Sequence, residues 1–315
     1  MGRKTAIKRR VYVSLPADRW VPKNLNRLKW AIVNKIRRLG YVPEIFTNPR
    51  GGPGLASALA WHPRDADDIA RRCTGAVILG MQRWSFKDGR GNQILLPTEF
   101  NHYEGALVRT LRLPTLVLVQ CDVLRRVVFD MNFSGFIGEF DAHADVPWLQ
   151  SEAFRVPFNY WQDLLEDRRD VFLGYSSASE EVAKTVKRHL QRQLGARVLD
   201  WQTDFIPGRT ILEQIEQAAA RSVGGIFLFT KDDDLAAGKK DIPAGKKGVL
   251  AVPRDNVVFE AGYFIAMKGK RNVLIIRQEG SKMPADLGGD IYASLRDKRS
   301  IEPIKETLKA FMTAI

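Results

Sequence analysis

The chain is poor in cysteine and lacks any long apolar run. Cys73 and Cys121 are its only cysteines in 315 residues. That is too few for a disulfide scaffold or a cysteine zinc site, and it points to a reducing, cytoplasmic setting. No stretch approaches the ~18–20 consecutive apolar residues of a membrane-spanning helix, so no membrane association is expected. The basic start, MGRKTAIKRR, runs straight into a strand pattern with no apolar core or small-residue cleavage site, which argues against a secretory leader. Zinc-finger spacings, an aromatic-rich RNA-binding signature and a basic helix feeding a heptad repeat are all missing. No metal-ligand cluster stands out, so neither a metal nor a resident cofactor is expected. The hydrophobic fraction of 45% and charged fraction of 27% exclude disorder, collagen and a coiled coil.

What is present in excess is positive charge, a formal +13. Residues 1–169 carry 26 Lys+Arg against 17 Asp+Glu, and residues 170–315 the remaining 23 against 19, so the halves hold +9 and +4. Arg3, Lys4, Lys8, Arg9 and Arg10 account for five of the nine. Such an arm suits either a solvated tail or an anionic surface. The remaining charge is mixed in sign and fits an anionic small ligand such as a nucleotide better than a nucleic acid.

The two halves repeat one pattern. Apolar runs at 11–15 and 171–176 read as buried strands. Each leads into a helix: Leu25, Leu28, Ile32 and Ile36 share one face before Gly40, and Val182, Val186, Leu190 and Leu194 share one before Gly195. Ser177 and Glu180 have capping-box spacing. Further strands are predicted at 42–46 and 198–201, 76–80 and 225–229, and 115–119 and 272–276. Helices are predicted at 65–73 and 211–220, and Glu-bearing helices at 99–110 and 257–268. The offsets are 160 from Val11 to Val171, 156 from Glu104 to Glu260 and 157 from Thr115 to Asn272. Strands that are apolar throughout and alternate with helices imply a parallel sheet covered on both faces. The expectation is an α/β protein of two tandem flavodoxin-like domains, 1–150 and 170–315. Between them, 151–169 is rich in Phe, Tyr and Trp and is expected to pack between the domains.

Ligands in such sheets sit at the carboxyl ends of the strands. In the second half those ends carry Tyr175, Ser176 and Ser177; then Trp201 and Phe205; then Gly208 and Arg209 before a capping box, Thr210 to Glu213; then Asp232 and a Gly/Lys/Pro loop expected to be mobile; then Arg254 and Asn256. Helix starts favour phosphate, and Arg209 suits a two-pronged grip on one. Glu260 stands in an otherwise apolar helix beside Phe259 and Ala261. It is either a salt-bridged helix glutamate or a carboxylate with a chemical task. His189, within an amphipathic helix, reads as structural or solvated. Asp65, Asp67 and Asp68 read as an acidic helix start rather than a metal site.

Residues ~170–295 resemble the bacterial TIR-like nucleotide-binding family, the type fused to STING in antiphage effectors or encoded near cyclic-oligonucleotide synthases. The matching words are residues 171–177 and 208–213, 230–234, above all Arg254-x-Asn256-Val257-Val258-Phe259-Glu260-Ala261-Gly262-Tyr263-Phe264, then 272–275 and Pro284-x-Asp286-Leu287-x-Gly289. The resemblance implies that Glu260 is the catalytic glutamate of an NAD⁺-cleaving domain. Tyr175, Ser176, Ser177, Trp201, Phe205, Arg209, Asp232, Arg254 and Asn256 are then the candidate substrate contacts. NAD⁺ is substrate rather than cofactor, the product is linear or cyclised ADP-ribose, and activation is expected through self-association, a cyclic nucleotide or a protein. Residues ~10–120 resemble nucleoside deoxyribosyltransferase-like and TIR-like domains more weakly, with Glu104 as the counterpart of Glu260 and Glu99 as its rival. That half could be a second site, a ligand sensor or an assembly copy; sensing or assembly is favoured. The alternatives for the whole are a nucleotide-binding signalling module without turnover, or an N-glycosidase acting through Glu104.

Overall fold

The computed structural model describes residues 7–45, 62–134, 137–236, 249–284, 287 and 292–315. The chain divides into two compact units that meet in sequence between Asp167 and Arg168. Each is built on five parallel strands in the chain order 2-1-3-4-5. In the N-terminal unit these are Val42–Ile45, Arg10–Ser14, Cys73–Gly80, Thr115–Gln120 and Ile137–Phe140. In the C-terminal unit they are Val198–Asp200, Arg169–Gly174, Ser222–Phe229, Val273–Gln278 and Tyr292–Leu295. A parallel neighbour is reached only by crossing over the sheet, so helices cover both faces and the central strand is shielded on both sides. All eight residues of Cys73–Gly80 and of Ser222–Phe229 are accordingly buried. This is the mixed α/β architecture expected from the alternating pattern, with a fifth strand in each sheet that the pattern did not announce.

The amphipathic helices form where the spacing places them. Lys23–Arg38 buries Leu25, Leu28, Ile32 and Ile36, and Gly40 follows at φ 86°. Glu180–Leu194 buries Val182, Val186, Leu190 and Leu194 and closes on Gly195 at φ 71°, a left-handed position that glycine takes without strain. The Thr210–Glu213 capping box forms in full. The expected Ser177–Glu180 box does not: Ser177–Ser179 is a 3-10 turn, and Ser179 stands at the helix N-cap without a side-chain capping bond. Most of the loop expected after Asp234 lies outside the described residues, as do Asp286, Gly289 and the first six residues of the basic arm. Among the described residues no helix is long and apolar enough to cross a membrane.

The aromatic segment expected between the domains is a helix of the N-terminal unit. Glu152–Glu166 buries Phe154, Phe158, Trp161 and Leu165 in the same cluster as Val13, Val77 and Leu118. The Trp161 indole N–H donates to the Pro114 carbonyl at 3.1 Å, and Phe154 and Phe158 stack at 4.9 Å between ring centroids. The aromatics cover one face of that sheet, which is why the stretch is too apolar to be a linker. Trp161→Ala removes both the packing and the bond. It is expected to cost about 3–5 kcal/mol, measured as a shift in the urea midpoint of the intact chain; a loss below about 1 kcal/mol would show the helix to be a peripheral addition.

Candidate active site

Strands one and three of the C-terminal unit, Arg169–Gly174 and Ser222–Phe229, pair directly. The connections leave them in opposite directions, which opens a crevice beyond their carboxyl ends. The helix that follows strand three, Asp255–Lys268, lies over that end. Its buried residues are Val257, Glu260, Ala261, Phe264 and Lys268. Those positions repeat at helical spacing, so Glu260 belongs to the stripe facing the sheet and its carboxylate is carried inward with the apolar side chains. Phe264 stacks on Phe172 at 5.1 Å and meets Phe227 edge-on at 5.3 Å, which fixes the helix against the sheet.

Glu260 is only 9% exposed, and its Oε2 has no hydrogen-bond partner. Burial alone lifts its carboxyl to about 7, with no cation or donor to offset the loss of water. Room for the group comes from Gly174. A Cβ at that position would lie 2.4 Å from the Phe227 ring and 3.0 Å from Glu260 Oε2. Glu260 lines a cleft of about 600 Å³ together with Tyr175, Ser176, Ser177, Trp201, Phe205, Arg209, Arg254 and Asn256. Eight of the nine substrate-contact candidates from the sequence are therefore brought together around it. Gln202, Ile206, Pro207, Ile211, Gln214 and Val257 complete the wall.

The aromatic wall is braced from behind. The Tyr175 hydroxyl donates to Asp200 Oδ1 at 2.8 Å, and Lys187 Nζ pairs with Asp200 Oδ2 at 2.8 Å. Burial, reinforced by Asp200, holds the Tyr175 phenol far above its ordinary value, so it stays neutral. The Trp201 indole donates to the Tyr175 carbonyl at 3.1 Å, locking the two rings at 5.7 Å. The cations sit at the exposed rim: Arg209 donates to Gln217 at 2.7 Å, and Arg254 pairs with Asp233 at 3.1 Å. Both are within reach of water and can exchange these partners for an anion.

Asp232 is the exception. A candidate substrate contact in the sequence, it has a fully buried side chain that does not line the cleft. Thr230 donates to it at 2.7 Å, Ser179 at 3.2 Å and Lys298 at 3.1 Å. Burial opposes its ionisation, but the bonds from Thr230 and Ser176 and the Lys298 charge outweigh that and hold the carboxyl below its ordinary range. Asp232 ties the end of strand three to the first helix and to Lys298. Asp232 follows the strand end at Phe229 by three residues, and nothing local distinguishes a structural carboxylate there from one at the mouth. His189 is half-buried and lies away from the cleft, and burial lowers its affinity for a proton. Asp67 pairs with Arg71 at 2.7 Å, and among the described residues no group of His, Cys, Asp and Glu could hold a metal ion.

The N-terminal unit repeats the arrangement with altered chemistry. The helix Glu99–Thr110 buries Asn101, Glu104, Gly105 and Val108, each 156 residues before Val257, Glu260, Ala261 and Phe264. Ser14 takes the place of Gly174 at the end of strand one, and the Asn101 amide donates to its hydroxyl at 2.7 Å. Burial and the facing Glu104 carboxylate push the Tyr12 phenol well above its ordinary value. The matching carboxylates thus occupy a polar site in one unit and an apolar site in the other. Both units also carry an antiparallel hairpin after strand three, Trp84–Lys87 with Gln93–Leu96 and Asp233–Ala236 with Val249–Val252. These four-residue strands, among them the apolar Val249–Val252, are too short to stand out as separate elements in the sequence.

Residues 170–297, all within the C-terminal unit, match the family model of the CAP12/Pycsar effector protein TIR domain. CD-NTase-associated protein 12 of Flavobacterium daejeonense is 29% identical over 120 residues, covering 38% of this chain and 35% of that protein. Its namesake in Sphingobacterium faecium is 26% identical over 154 residues, covering 47% and 44%. The chain thus spans less than half the length of these curated relatives. Among solved structures, the TIR domain of the Toll-related receptor TRR-2 of Hydra magnipapillata is 16% identical, covering 45% of this chain and 98% of that one, with a TM-score of 0.33.

The raised carboxyl has a consequence for stability. In the unfolded chain Glu260 ionises near its ordinary value of 4.5, whereas in the folded protein it keeps its proton to about pH 7. Folding is therefore opposed increasingly as pH rises through that window, by roughly 3 kcal/mol or slightly more once both states are ionised. Glu260→Gln is expected to melt with wild type at pH 4.5 and above it at pH 8. Equal melting temperatures at pH 8 would contradict an uncompensated carboxylate.

Proposed function

We propose that the C-terminal unit, whose residues 170–297 match the CAP12/Pycsar effector TIR domain, cleaves NAD⁺ between nicotinamide and ribose as an effector in antiphage signalling. The observation that carries this reading is the Glu260 carboxylate, buried and without a hydrogen-bond partner at Oε2, on the wall of a cleft at the strand ends.

The chemistry asks little else of the protein. As the C1′–N bond breaks, its electron pair leaves with nicotinamide, which departs neutral and needs no strong acid. Positive charge develops on the ribose, and an ionised Glu260 stabilises it and orients the ribose hydroxyls. Water then attacks C1′ and loses a proton to solvent, giving ADP-ribose; attack by the adenine ring instead gives the cyclic product. Trp201, Phe205 and Tyr175 offer faces for the rings, and Arg209 and Arg254 offer cations at the rim for the pyrophosphate. Ser176, Ser177 and Asn256 supply hydrogen-bonding groups along the same wall. No resident cofactor has a part in this scheme. An unregulated NAD⁺ hydrolase would be toxic to its host, so the unit is held inactive until a signal arrives. The CD-NTase-associated names of the relatives support a cyclic nucleotide as that signal, and self-association in the cytoplasm is the means proposed for its action.

Glu260 works as a base-form carboxylate, so activity is expected to rise with pH and reach half its maximum near 7. Nicotinamide release from NAD⁺ by the purified chain, with and without cyclic di- and trinucleotides, tests the proposal. Glu260→Gln is expected to lower turnover by about 10²-fold or more. Full activity in that variant, or no NAD⁺ loss by wild type in any state, would sink it. Release of free base from nucleosides that vanishes in Glu104→Gln alone would favour the N-glycosidase alternative.

A further inference from the structure

The N-terminal unit, which the family model does not cover, has its own cavity at the carboxyl ends of its strands. It measures about 270 Å³, less than half the volume of the C-terminal cleft. Its floor is rich in acceptors. Glu104 is 4% exposed and Asn101 1%. Asn101 spends its amide N–H on Ser14, while its Oδ1 is buried without a hydrogen-bond partner. A buried acceptor left unmade costs stability unless something donates to it. The floor is therefore built for a group with several hydroxyl or amino donors, such as a ribose edge.

The rim carries two cations, Arg19 and Arg83, and one carboxylate, the exposed Glu99. Arg83 lies 3.6 Å above the Trp20 ring and 4.2 Å above the Trp84 ring, a guanidinium held between two indoles. Its backbone N–H donates to Leu96 at 2.7 Å, which anchors it to the base of the hairpin. Arg19 adds a second guanidinium, 4.9 Å from the Trp20 ring centroid. Stacking fixes the guanidinium plane and leaves its N–H edge free to grip an anion, at less entropic cost than a mobile arginine. Leu15, Pro16 and Phe100 give the cavity apolar walls between floor and rim.

We propose that this cavity binds one nucleoside monophosphate without turning it over, with the ribose on Asn101 and Glu104, the base against Leu15, Pro16 and Phe100, and the phosphate on Arg83. The smaller volume suits a mononucleotide better than the dinucleotide proposed for the other unit. The polar setting of Glu104, beside Ser14, Asn101 and Tyr12, suits an acceptor that holds hydroxyl groups in place.

Calorimetry on the full chain carrying Glu260→Gln tests this with AMP, GMP, CMP and UMP, the free nucleosides, ribose 5-phosphate and NAD⁺. The expected result is one site per chain for at least one nucleoside monophosphate, with the matching nucleoside and ribose 5-phosphate each weaker by about tenfold or more. Arg83→Ala, a rim change that leaves the floor intact, is expected to weaken binding by a similar factor, and Arg209→Ala to leave it unchanged. The proposal is overturned if no monophosphate binds, if the nucleoside binds equally well, if ribose 5-phosphate alone matches the nucleotide, if the bound nucleotide is hydrolysed, or if Arg209→Ala abolishes binding while Arg83→Ala does not.

Discussion

A parallel strand cannot return to its neighbour by a hairpin, and most of this molecule follows from that constraint. Every link between strands must cross the sheet, so helices accumulate on both faces and the central strands become apolar throughout. Where successive crossovers leave in opposite directions, the helices part and a crevice opens beyond the strand ends. Both units place their cavities there, and both lower a glutamate-bearing helix onto its edge. The site is thus a product of chain topology before any side chain is chosen.

Side-chain choice then separates the two copies. The buried stripes of Glu99–Thr110 and Asp255–Lys268 match position for position. At the end of strand one, however, Ser14 stands where the other unit has Gly174. Ser14, Asn101 and Tyr12 make the surroundings of Glu104 polar. Gly174, Val257 and the phenylalanine cluster leave Glu260 with nothing to replace the water it loses. A carboxylate in the first setting is a good anchor. In the second it is energetically exposed and gains most when a positive charge develops beside it. The stability lost to this placement is the kind of local cost that proteins tolerate at functional sites.

The sequence carried much of this. Period-3.6 stripes such as Val182, Val186, Leu190 and Leu194 located helices, and continuous apolar runs located four of five strands in each sheet. The constant offset between Glu104 and Glu260 disclosed the repeat. Even the cleft was largely legible, because its residues cluster at strand ends and helix starts. What escaped were features decided by tertiary context. The hairpins at Trp84 and Asp233 are built from strands of only four residues, too short for a pattern to stand out. Trp161 and Phe158 looked like a bridge because sequence shows that a surface is apolar but not which sheet it covers. Asp232 looked like a site residue because only three-dimensional packing brings Thr230, Ser179 and Lys298 around it. The enabling role of Gly174 was invisible for the same reason, since its missing Cβ matters only beside Phe227 and Glu260.

The proposed chemistry depends on the ionisation of one carboxyl group, which can be observed without substrate. Carbon-13 NMR of the intact chain labelled at glutamate side chains, with Glu260→Gln to assign the resonance, reports the titration of Glu260 directly. A midpoint near 7 is the expected result. A midpoint near 4.5, the ordinary glutamate value, would mean that the group is solvated or paired in solution and would contradict the apolar, uncompensated site described above.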